Sequence, residues 1–202
     1  MIDYEGKYLG QGYKNIVGID EVGRGCLFGD VVAAAVIMPE NRILGVNDSK
    51  KLTEKQRESL YDKILRDAIA VGIGRMDSVT IDKVNIKMAT HLAMLLAVEN
   101  LRTRDNLRIY PDLLLIDAEH IETKIDQVDI IKGDANCYSI ACASIVAKVF
   151  RDRLCKKWEK MYPGYGIEKH KGYGTKAHRD AIKELGSSKL HRQSFLKNKD
   201  NW

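Results

Sequence analysis

Two short apolar runs, at residues 15–20 and 31–38, constrain the fold more than any other feature of the sequence. Each run is bounded by Gly, Asp or Pro, and each has the length of a buried strand. The glycine-containing turn between them predicts a hairpin. The second run, VVAAAVIM, is also far too short to span a bilayer, so we expect no membrane association.

Helical and strand patterns alternate after this hairpin. Thr53 and Gln56 form a capping box that opens a helix predicted to run to residue 67. Residues 68–76 predict a third strand. Residues 81–102 predict one long amphipathic helix. The expected apolar face of that helix consists of Ile81, Val84, Met88, Leu92, Leu95 and Leu96.

The second half of the chain continues this alternation. Short strands are predicted at residues 112–117 and 126–131, and a helix at 137–158. Thr175 is the expected N-cap of a last helix that ends at Gly186, and the polar tail from Lys197 is expected to fray. This order of elements predicts an α/β fold with a mixed sheet.

Composition narrows the class of protein. The chain has 202 residues, which suits a single domain, and 45% of them are hydrophobic, enough for a core. A net charge of +5 fits nucleic-acid binding without establishing it. The four cysteines form no CxxC pair and the N-terminus lacks the features of a signal peptide. We therefore expect reduced thiols and a cytoplasmic protein.

Acidic residues follow the ends of the predicted strands. Asp20 and Glu21 close the first strand, Asp117 closes DLLLID, and Asp134 lies before the 137–158 helix. Active sites of open α/β sheets lie beyond the strand ends, so the four acids are expected to converge. Oxygen-only ligands favour Mg²⁺ or Mn²⁺ over zinc. Two such ions can activate a water and stabilise the leaving oxygen of a phosphodiester.

The acids also have simpler interpretations. An aspartate at a strand end is often a turn former or a helix cap, and this alternative stays open for Asp117 and Asp134. Asp20 and Glu21 are neighbours, and neighbours in a regular strand point to opposite faces. Both could serve one metal site only if the strand bends at Glu21, which the glycines that follow would allow.

The glycine-flanked arginine is a candidate ligand-binding turn. Gly23 and Gly25 offer backbone amides to a close ligand, and Arg24 offers a forked cation. The segment does not match a dinucleotide-binding glycine loop. The third glycine, Gly29, comes one residue late for GxGxxG, and a strand-like run follows where a helix is required.

Two further segments suggest contacts with phosphate and sugar. Ser49, Lys50 and Lys51 precede a helix N-terminus, a natural place to bind phosphate, although a solvated charge run explains them equally well. Tyr173 is held between glycines in HKGYGT, where a ring can stack on a sugar or base. A turn with a partly buried tyrosine is the simpler interpretation of that segment.

Seven segments together resemble the ribonuclease HII family, the type 2 ribonucleases H. They are GIDEVGRG (18–25), VVAAAV (31–36), DSKKLT (48–53), NIKMATHLAM (85–94), GDANCYSIACASIVAKVFRD (133–152), HKGYGTKAH (170–178) and HRQSF (191–195). The resemblance covers roughly residues 15–195. The arginine in DEVGRG favours this family over its HIII relative.

The resemblance implies an RNase H-like fold: a five-stranded mixed sheet flanked by helices, with a C-terminal helical extension. It implies one catalytic domain over residues 1–202. The core would comprise about 15–155, and the extension, about 156–202, would carry Tyr173.

The resemblance also implies an activity. Members cleave the RNA strand of RNA/DNA hybrids and incise 5′ to single ribonucleotides in duplex DNA, leaving 3′-hydroxyl and 5′-phosphate ends. By position, the family's metal-binding acids fall on Asp20, Glu21, Asp117 and Asp134, with two Mg²⁺ or Mn²⁺ expected. The reader of the 2′-hydroxyl falls on Gly23, Arg24 and Gly25, and the junction-sensing tyrosine on Tyr173. Candidate phosphate contacts are Ser49, Lys50, Lys51 and Lys148.

Some features leave alternatives open. Asp30 and Asn136 depart from the family's usual residues, adding an acid and removing a cation, so substrate affinity is expected to be lower. A hybrid-binding module without catalysis, or another RNase H-like nuclease such as a junction resolvase, remains an alternative function. We expect a monomer, and the tail LKNKDNW contains no clear sliding-clamp motif.

Overall fold

A five-stranded mixed sheet forms the centre of the computed structural model, which describes residues 1–47 and 49–197. The strand order is β3-β2-β1-β4-β5. The strands are β1 (Ile16–Val22), β2 (Val31–Ile37), β3 (Ala70–Met76), β4 (Leu113–Asp117) and β5 (Asp126–Ile130). β1 pairs antiparallel with β2 and parallel with β4, which confirms the predicted hairpin and mixed sheet. The predicted fraying of the tail and Asp48 of DSKKLT lie outside the described residues.

Helices cover both faces of the sheet. They are α1 (Tyr4–Leu9), α2 (Glu54–Asp67), α3 (Ser78–Val84), α4 (Ile86–Glu99), α5 (Gly133–Asn136), α6 (Tyr138–Met161), α7 (Ile167–His170) and α8 (Lys176–Leu185), with 3₁₀ turns at Ser49–Lys51 and Gln193–Phe195. The predicted caps are confirmed, because Thr53 forms a full capping box with Gln56 and Thr175 caps α8. The sequence did not predict α1 or α7. No helix within the described ranges combines the length and apolar character needed to cross a membrane.

The single helix predicted at residues 81–102 is wrong. The chain breaks at Asn85, which has φ 70°, and its side-chain Oδ1 accepts a hydrogen bond from the Met88 amide to start α4. Asparagine tolerates this left-handed region better than most residues. The predicted apolar face is correct at Ile81, which is buried, but wrong within α4, since Met88 is 46% exposed. The buried face consists of Ala89, Thr90, Ala93, Met94, Ala97 and Val98.

Glycines in β3 explain why α4 buries its small residues. A Cβ on Gly72 would lie 2.0 Å from the Ala97 carbonyl oxygen, and one on Gly74 would lie 2.0 Å from that of Ala93. The helix and the strand therefore pack backbone against backbone, which leaves no room for leucines between them. Periodicity of large apolar residues could not reveal this contact, because it depends on a partner strand.

Successive residues of β1 face different helices. Val17 and Ile19 pack in the cluster that contains the buried face of α4. On the other face, Gly18 lets α6 approach, because a Cβ there would lie 2.2 Å from the Ser139 carbonyl carbon. This alternation places Asp20 on the α6 side of the sheet and Glu21 on the α4 side.

The C-terminal helices share a core with the turn after β1. Phe28 packs with Trp158, Tyr165 and Ile182 in one buried cluster. The predicted boundary between core and extension, at 155/156, falls inside the continuous helix α6. The division into core and extension therefore remains a prediction, and this packing couples the two parts closely.

Candidate active site

A cleft of about 260 Å³ opens where β1 and β4 end. It is lined by Asp20, Glu21, Val22, Gly23, Arg24, Gly25, Ser49, Lys50, Arg57, Asp117, Ser144, Lys148 and Tyr173. Segments far apart in the sequence thus meet at the sheet edge where open α/β folds place their ligand sites. Most of the residues singled out from the sequence line this one cleft.

β1 does not bend at Glu21, contrary to expectation. The pairing with β2 continues regularly past it, with Glu21 opposite Ala33 and Val22 opposite Val32. The parallel pairing with β4 stops at Ile19. Beyond that point the edge of β1 is open to the cleft, so both neighbouring acids line it although they lean to opposite faces of the sheet.

Asp20 is a buried carboxyl group in a negatively charged setting. Burial raises its pKa well above the ordinary value, and the charges of Glu21 and Asp117 raise it further. Its Oδ1 accepts a 2.8 Å hydrogen bond from the Glu21 amide, and Ser144 on α6 also donates to the carboxylate. These two donors compensate only part of the cost of an ionised group here.

Only one of the two carboxylate oxygens of Glu21 has a donor among the described residues. Burial raises its pKa even though Arg24 Nη1 lies 3.4 Å from Glu21 Oε1 and favours the ionised form. Oxygen Oε2 is buried, and no donor among the described residues reaches it. A buried carboxylate oxygen without a donor is costly in the absence of a cation.

Asp117 and Asp134 meet at the start of α5. Asp117 Oδ1 accepts a 2.6 Å hydrogen bond from the Gly133 amide, so this residue does hold a helix start, as the simpler interpretation suggested. Asp134 is not the N-cap of α5, because Lys132 occupies that position. Its Oδ2 accepts instead from Lys50 Nζ at 2.8 Å. Each of the four acids is therefore held by a different partner, and Asp134 is absent from the described lining of the cleft.

The donor set fits a hard divalent cation. Three carboxylates line the cleft, burial and the charges of Glu21 and Asp117 raise the pKa of Asp20, and no described residue donates to Glu21 Oε2. In the part of the chain that is described, however, no three His, Cys, Asp or Glu side chains are already arranged as a ligand set. Cation binding would therefore require Lys50 to leave Asp134 and Glu21 to turn from Arg24. Lys50 can move readily, because its side chain is 79% exposed.

The Gly-Arg-Gly turn is held from behind by a buried arginine. Gly23 has φ 93°, and a Cβ there would lie 2.3 Å from Arg151 Nε, so only glycine fits. The Arg24 guanidinium, which the resemblance assigned to the reader of the 2′-hydroxyl, donates to Glu119 Oε1 and approaches Glu21. The Arg24 guanidinium is thus engaged by two carboxylates, although Arg24 itself lines the cleft.

Glu119 and His91 were missed by the sequence reasoning. Glu119 Oε2 lies 3.0 Å from His91 Nε2, while Oε1 accepts from Arg24. Burial alone would raise the pKa of Glu119, but the hydrogen bonds from His91 and Arg24 lower it below its ordinary value. Glu119 stands two residues after Asp117 in IDAEH, and this proximity was the only available signal.

The candidate phosphate contacts divide into two groups. Ser49 and Lys148 line the cleft, where Ser49 Oγ lies 2.8 Å from Ser144 Oγ and Lys148 Nζ donates to Asp152 at 2.7 Å. Lys50 also lines it. Lys51 is exposed and is absent from the described lining of the cleft.

Tyr173 faces the Gly-Arg-Gly turn across the cleft. Its side chain is 43% exposed, and a Cβ on Gly25 would lie 3.8 Å from the ring atom Cε1. A short bridge pairs Tyr173 with Cys26. The tyrosine is thus partly buried in a turn, as the simpler interpretation suggested, and its ring also lines the cleft beside Gly25.

Two buried arginines hold residues 24–30 in place, and the sequence reasoning singled out neither. Arg151 donates to the carbonyl oxygens of Phe28, Asp30 and Lys171 at 2.8–3.0 Å. Arg192 donates to those of Gly29 and Arg24 at 2.9 and 2.8 Å. A charged residue inside the apolar α6 pattern was the available signal for Arg151.

The two departures from the family pattern lie away from the cleft lining. Asp30 is buried, and its Oδ2 forms an ion pair with Arg75 Nε at 2.8 Å. Asn136 donates from Nδ2 to the Ile131 carbonyl oxygen at 3.1 Å. Asp30 pairs with Arg75 and is absent from the described lining of the cleft, and its expected effect on substrate affinity stays a prediction.

Comparison with known proteins identifies the family to which the chain is similar. The family model described as Ribonuclease HII matches residues 17–198. The chain is 56% identical over 196 residues to the Ribonuclease HII of Alkaliphilus oremlandii (strain OhILAs), a match that covers 96% of this chain and 97% of that protein.

Solved structures agree in fold. The ribonuclease H2 from Pyrococcus horikoshii OT3 superposes with a TM-score of 0.76 at 24% identity, covering 93% of this chain and 98% of that one. The RNase HII of Archaeoglobus fulgidus, solved as a PCNA:RNase HII complex, gives a TM-score of 0.74 at 25% identity, with 89% and 94% covered. The predicted RNase H-like α/β fold is confirmed.

Proposed function

We propose that this chain incises duplex DNA 5′ to a single embedded ribonucleotide. The premise is that it belongs to the ribonuclease HII family and is a ribonuclease H that cleaves RNA/DNA hybrids. One observation carries the proposal. A single cleft is lined by three carboxylates, by the Gly-Arg-Gly turn and by Tyr173. A scissile phosphate and the sugar beside it would then contact separate parts of one site.

The acids supply the hydrolytic half of the proposed site. Asp20, Glu21, Asp117 and Asp134 would hold two Mg²⁺ or Mn²⁺ ions, and bound cations would activate a water and stabilise the leaving 3′-oxygen. Ser144 and the Glu21 amide keep Asp20 oriented toward the cleft. Lys50, displaced from Asp134, would approach a substrate phosphate together with Lys148. The proposed products carry 3′-hydroxyl and 5′-phosphate ends.

The glycine turn and Tyr173 supply the proposed selectivity. Backbone groups of Gly23 and Gly25 would contact the 2′-hydroxyl, which distinguishes RNA from DNA. Arg24, which contacts Glu119 and Glu21, would in addition support the acids. The Tyr173 ring would stack on the following sugar, where a deoxyribose fits and a 2′-hydroxyl would crowd.

The proposal includes the setting of the protein. Its partners are RNA/DNA hybrid and ribonucleotide-containing duplex DNA. The protein would bind them as a monomer. All four cysteines are free buried thiols, which supports a reducing compartment such as the cytoplasm.

A nicking assay tests the proposal directly. A labelled DNA duplex with one ribonucleotide should be cut once, on its 5′ side, in Mg²⁺ or Mn²⁺ but not in excess EDTA. The matched all-DNA duplex should stay intact. Absence of cleavage with both metals would refute the proposal. Faster cutting of a four-way DNA junction would favour a resolvase instead.

Tyr173→Ala tests the junction role of the tyrosine. We expect kcat/KM on the single-ribonucleotide duplex to fall about tenfold more than on a long hybrid, since stacking of one aromatic ring contributes about 1–3 kcal/mol. Tyr110→Ala is the matched control, because Tyr110 is 68% exposed and is not part of the cleft lining described. Equal losses on both substrates would contradict the role.

A further inference from the structure

A chain of histidines lies behind Tyr173. His178, in α8, and His191, in the segment after it, are 0% and 1% exposed. Their ring centroids lie 5.3 Å apart, and His170 stacks on His178 at 4.3 Å between ring centroids. The proposed hydrolysis uses none of the three, although they belong to the HKGYGTKAH and HRQSF segments.

The contacts of His178 assign its tautomer. Nδ1 lies 3.0 Å from the Tyr173 carbonyl oxygen, which can only accept, so Nδ1 carries the proton. Nε2 must then accept, and His191 Nε2 lies 3.2 Å away as its donor. His191 Nδ1 in turn accepts from the Ser188 amide at 2.9 Å. One set of proton positions therefore satisfies every hydrogen bond in this series, from the Ser188 amide to the Tyr173 carbonyl.

His170 holds the other side of the same turn. Its Nε2 lies 2.8 Å from the Tyr165 carbonyl oxygen and must donate, while Nδ1 accepts from the Gly172 amide at 3.2 Å. Its own carbonyl oxygen accepts from the Tyr173 amide at 3.0 Å. The backbone of Tyr173 is thus bonded on both sides, to His170 through the amide and to His178 through the carbonyl.

His178 and His191 are neutral near physiological pH. Burial lowers the pKa of His178 and of His191 to about 4. Each ring therefore has one donor and one acceptor nitrogen, as the relay from Ser188 to Tyr173 requires. A protonated His178 would have no acceptor to offer His191.

We infer that His178, oriented by His191, is a positioning residue that directs the Tyr173 ring into the cleft by holding its backbone carbonyl. Gly172, with φ 85°, and Gly174 flank the tyrosine, so the backbone of this turn has little stiffness of its own. The Nδ1–H of His178 adds a buried side-chain donor to the Tyr173 carbonyl oxygen, which also accepts from the Thr175 amide at 2.8 Å. The inference rests on the proposed junction role of Tyr173.

A pair of substitutions separates this hydrogen bond from simple packing. His178→Asn keeps a donor near the position of Nδ1, whereas His178→Leu keeps apolar volume and removes the donor. The measured quantity is the ratio of kcat/KM on the single-ribonucleotide duplex to kcat/KM on a long hybrid. We expect His178→Leu to lower this ratio several-fold toward that of Tyr173→Ala, and His178→Asn to retain it within about twofold.

The outcomes distinguish the inference from the proposed function. A normal ratio in His178→Leu, or equal losses in the Leu and Asn variants, overturns the inference if Tyr173→Ala still lowers the ratio. An unchanged ratio in Tyr173→Ala overturns the junction role itself, and the inference with it. If His178→Leu fails to fold, long-range ¹H–¹⁵N spectra of the unaltered protein decide. Protonated Nδ1 and bare Nε2 on His178 support the inference, and the opposite tautomer overturns it.

Discussion

Asp20→Asn is expected to reduce cleavage of an RNA/DNA hybrid by on the order of 10³-fold or more. Charge stabilisation by bound cations contributes several kcal/mol to such reactions, and each 1.36 kcal/mol corresponds to a factor of ten. Asparagine keeps the shape of the side chain but offers no negative charge to a cation. Initial rates on a uniform hybrid in saturating Mg²⁺ measure the loss.

The same substitution should stabilise the metal-free protein at pH 7. The pKa of Asp20 is raised in the fold, so the ionised form is less favourable in the folded chain than in the unfolded one. Removing that charge should raise the melting temperature in EDTA. Asp105→Asn, at an exposed position of a turn, is the matched control for both measurements and should change neither. Full activity in Asp20→Asn would remove Asp20 from the catalytic set.

Arg151→Met is expected to lower the free energy of unfolding by about 3–5 kcal/mol. The guanidinium donates to three backbone carbonyl oxygens, and each buried acceptor left without a donor costs about 1–3 kcal/mol. Methionine fills part of the volume but donates nothing. Two of these carbonyls, those of Phe28 and Asp30, follow the Gly-Arg-Gly turn, and the third, that of Lys171, precedes Tyr173. We therefore expect the substitution to loosen both segments. Urea unfolding followed by circular dichroism measures the change.

Arg153→Met provides the control on the same helix. Arg153 is 44% exposed and pairs with Glu58 at the surface, where an ion pair contributes about 0–1 kcal/mol. The free energy of unfolding should therefore fall by about 1 kcal/mol or less. Equal destabilisation by the two substitutions would mean that the buried hydrogen bonds of Arg151 are not what holds the turns together.

Features that depend on near neighbours in the chain were predicted well. The capping box at Thr53, the cap at Thr175 and the apolar strands that end in Asp20 and Asp117 all rest on contacts within a few residues. The break at Asn85 is local too, but the apolar periodicity on either side of it concealed the signal. The buried face of α4 was not predictable in this way, because it is set by glycines of β3.

The same distinction applies to the site. The residue types in Asp20-Glu21, Gly23-Arg24-Gly25 and Tyr173 are enough to indicate metal, sugar and stacking chemistry. Their partners did not follow from the sequence. Arg24 binds Glu119 from a different strand end, and the carbonyl of Tyr173 is held by His178.

The amino-acid sequence by itself determined which chemical groups stand at the strand ends, where the helices begin, and which family the chain resembles. Only the tertiary structure decided which of those groups meet. It showed an unbent β1 whose two acids share a cleft at an open edge, and buried arginines that bind the turns on either side. Hydrogen bonds and charge interactions act over a few ångströms in space, whereas Arg151 and Arg192 lie more than a hundred positions along the chain from Phe28 and Arg24, whose carbonyls they bind.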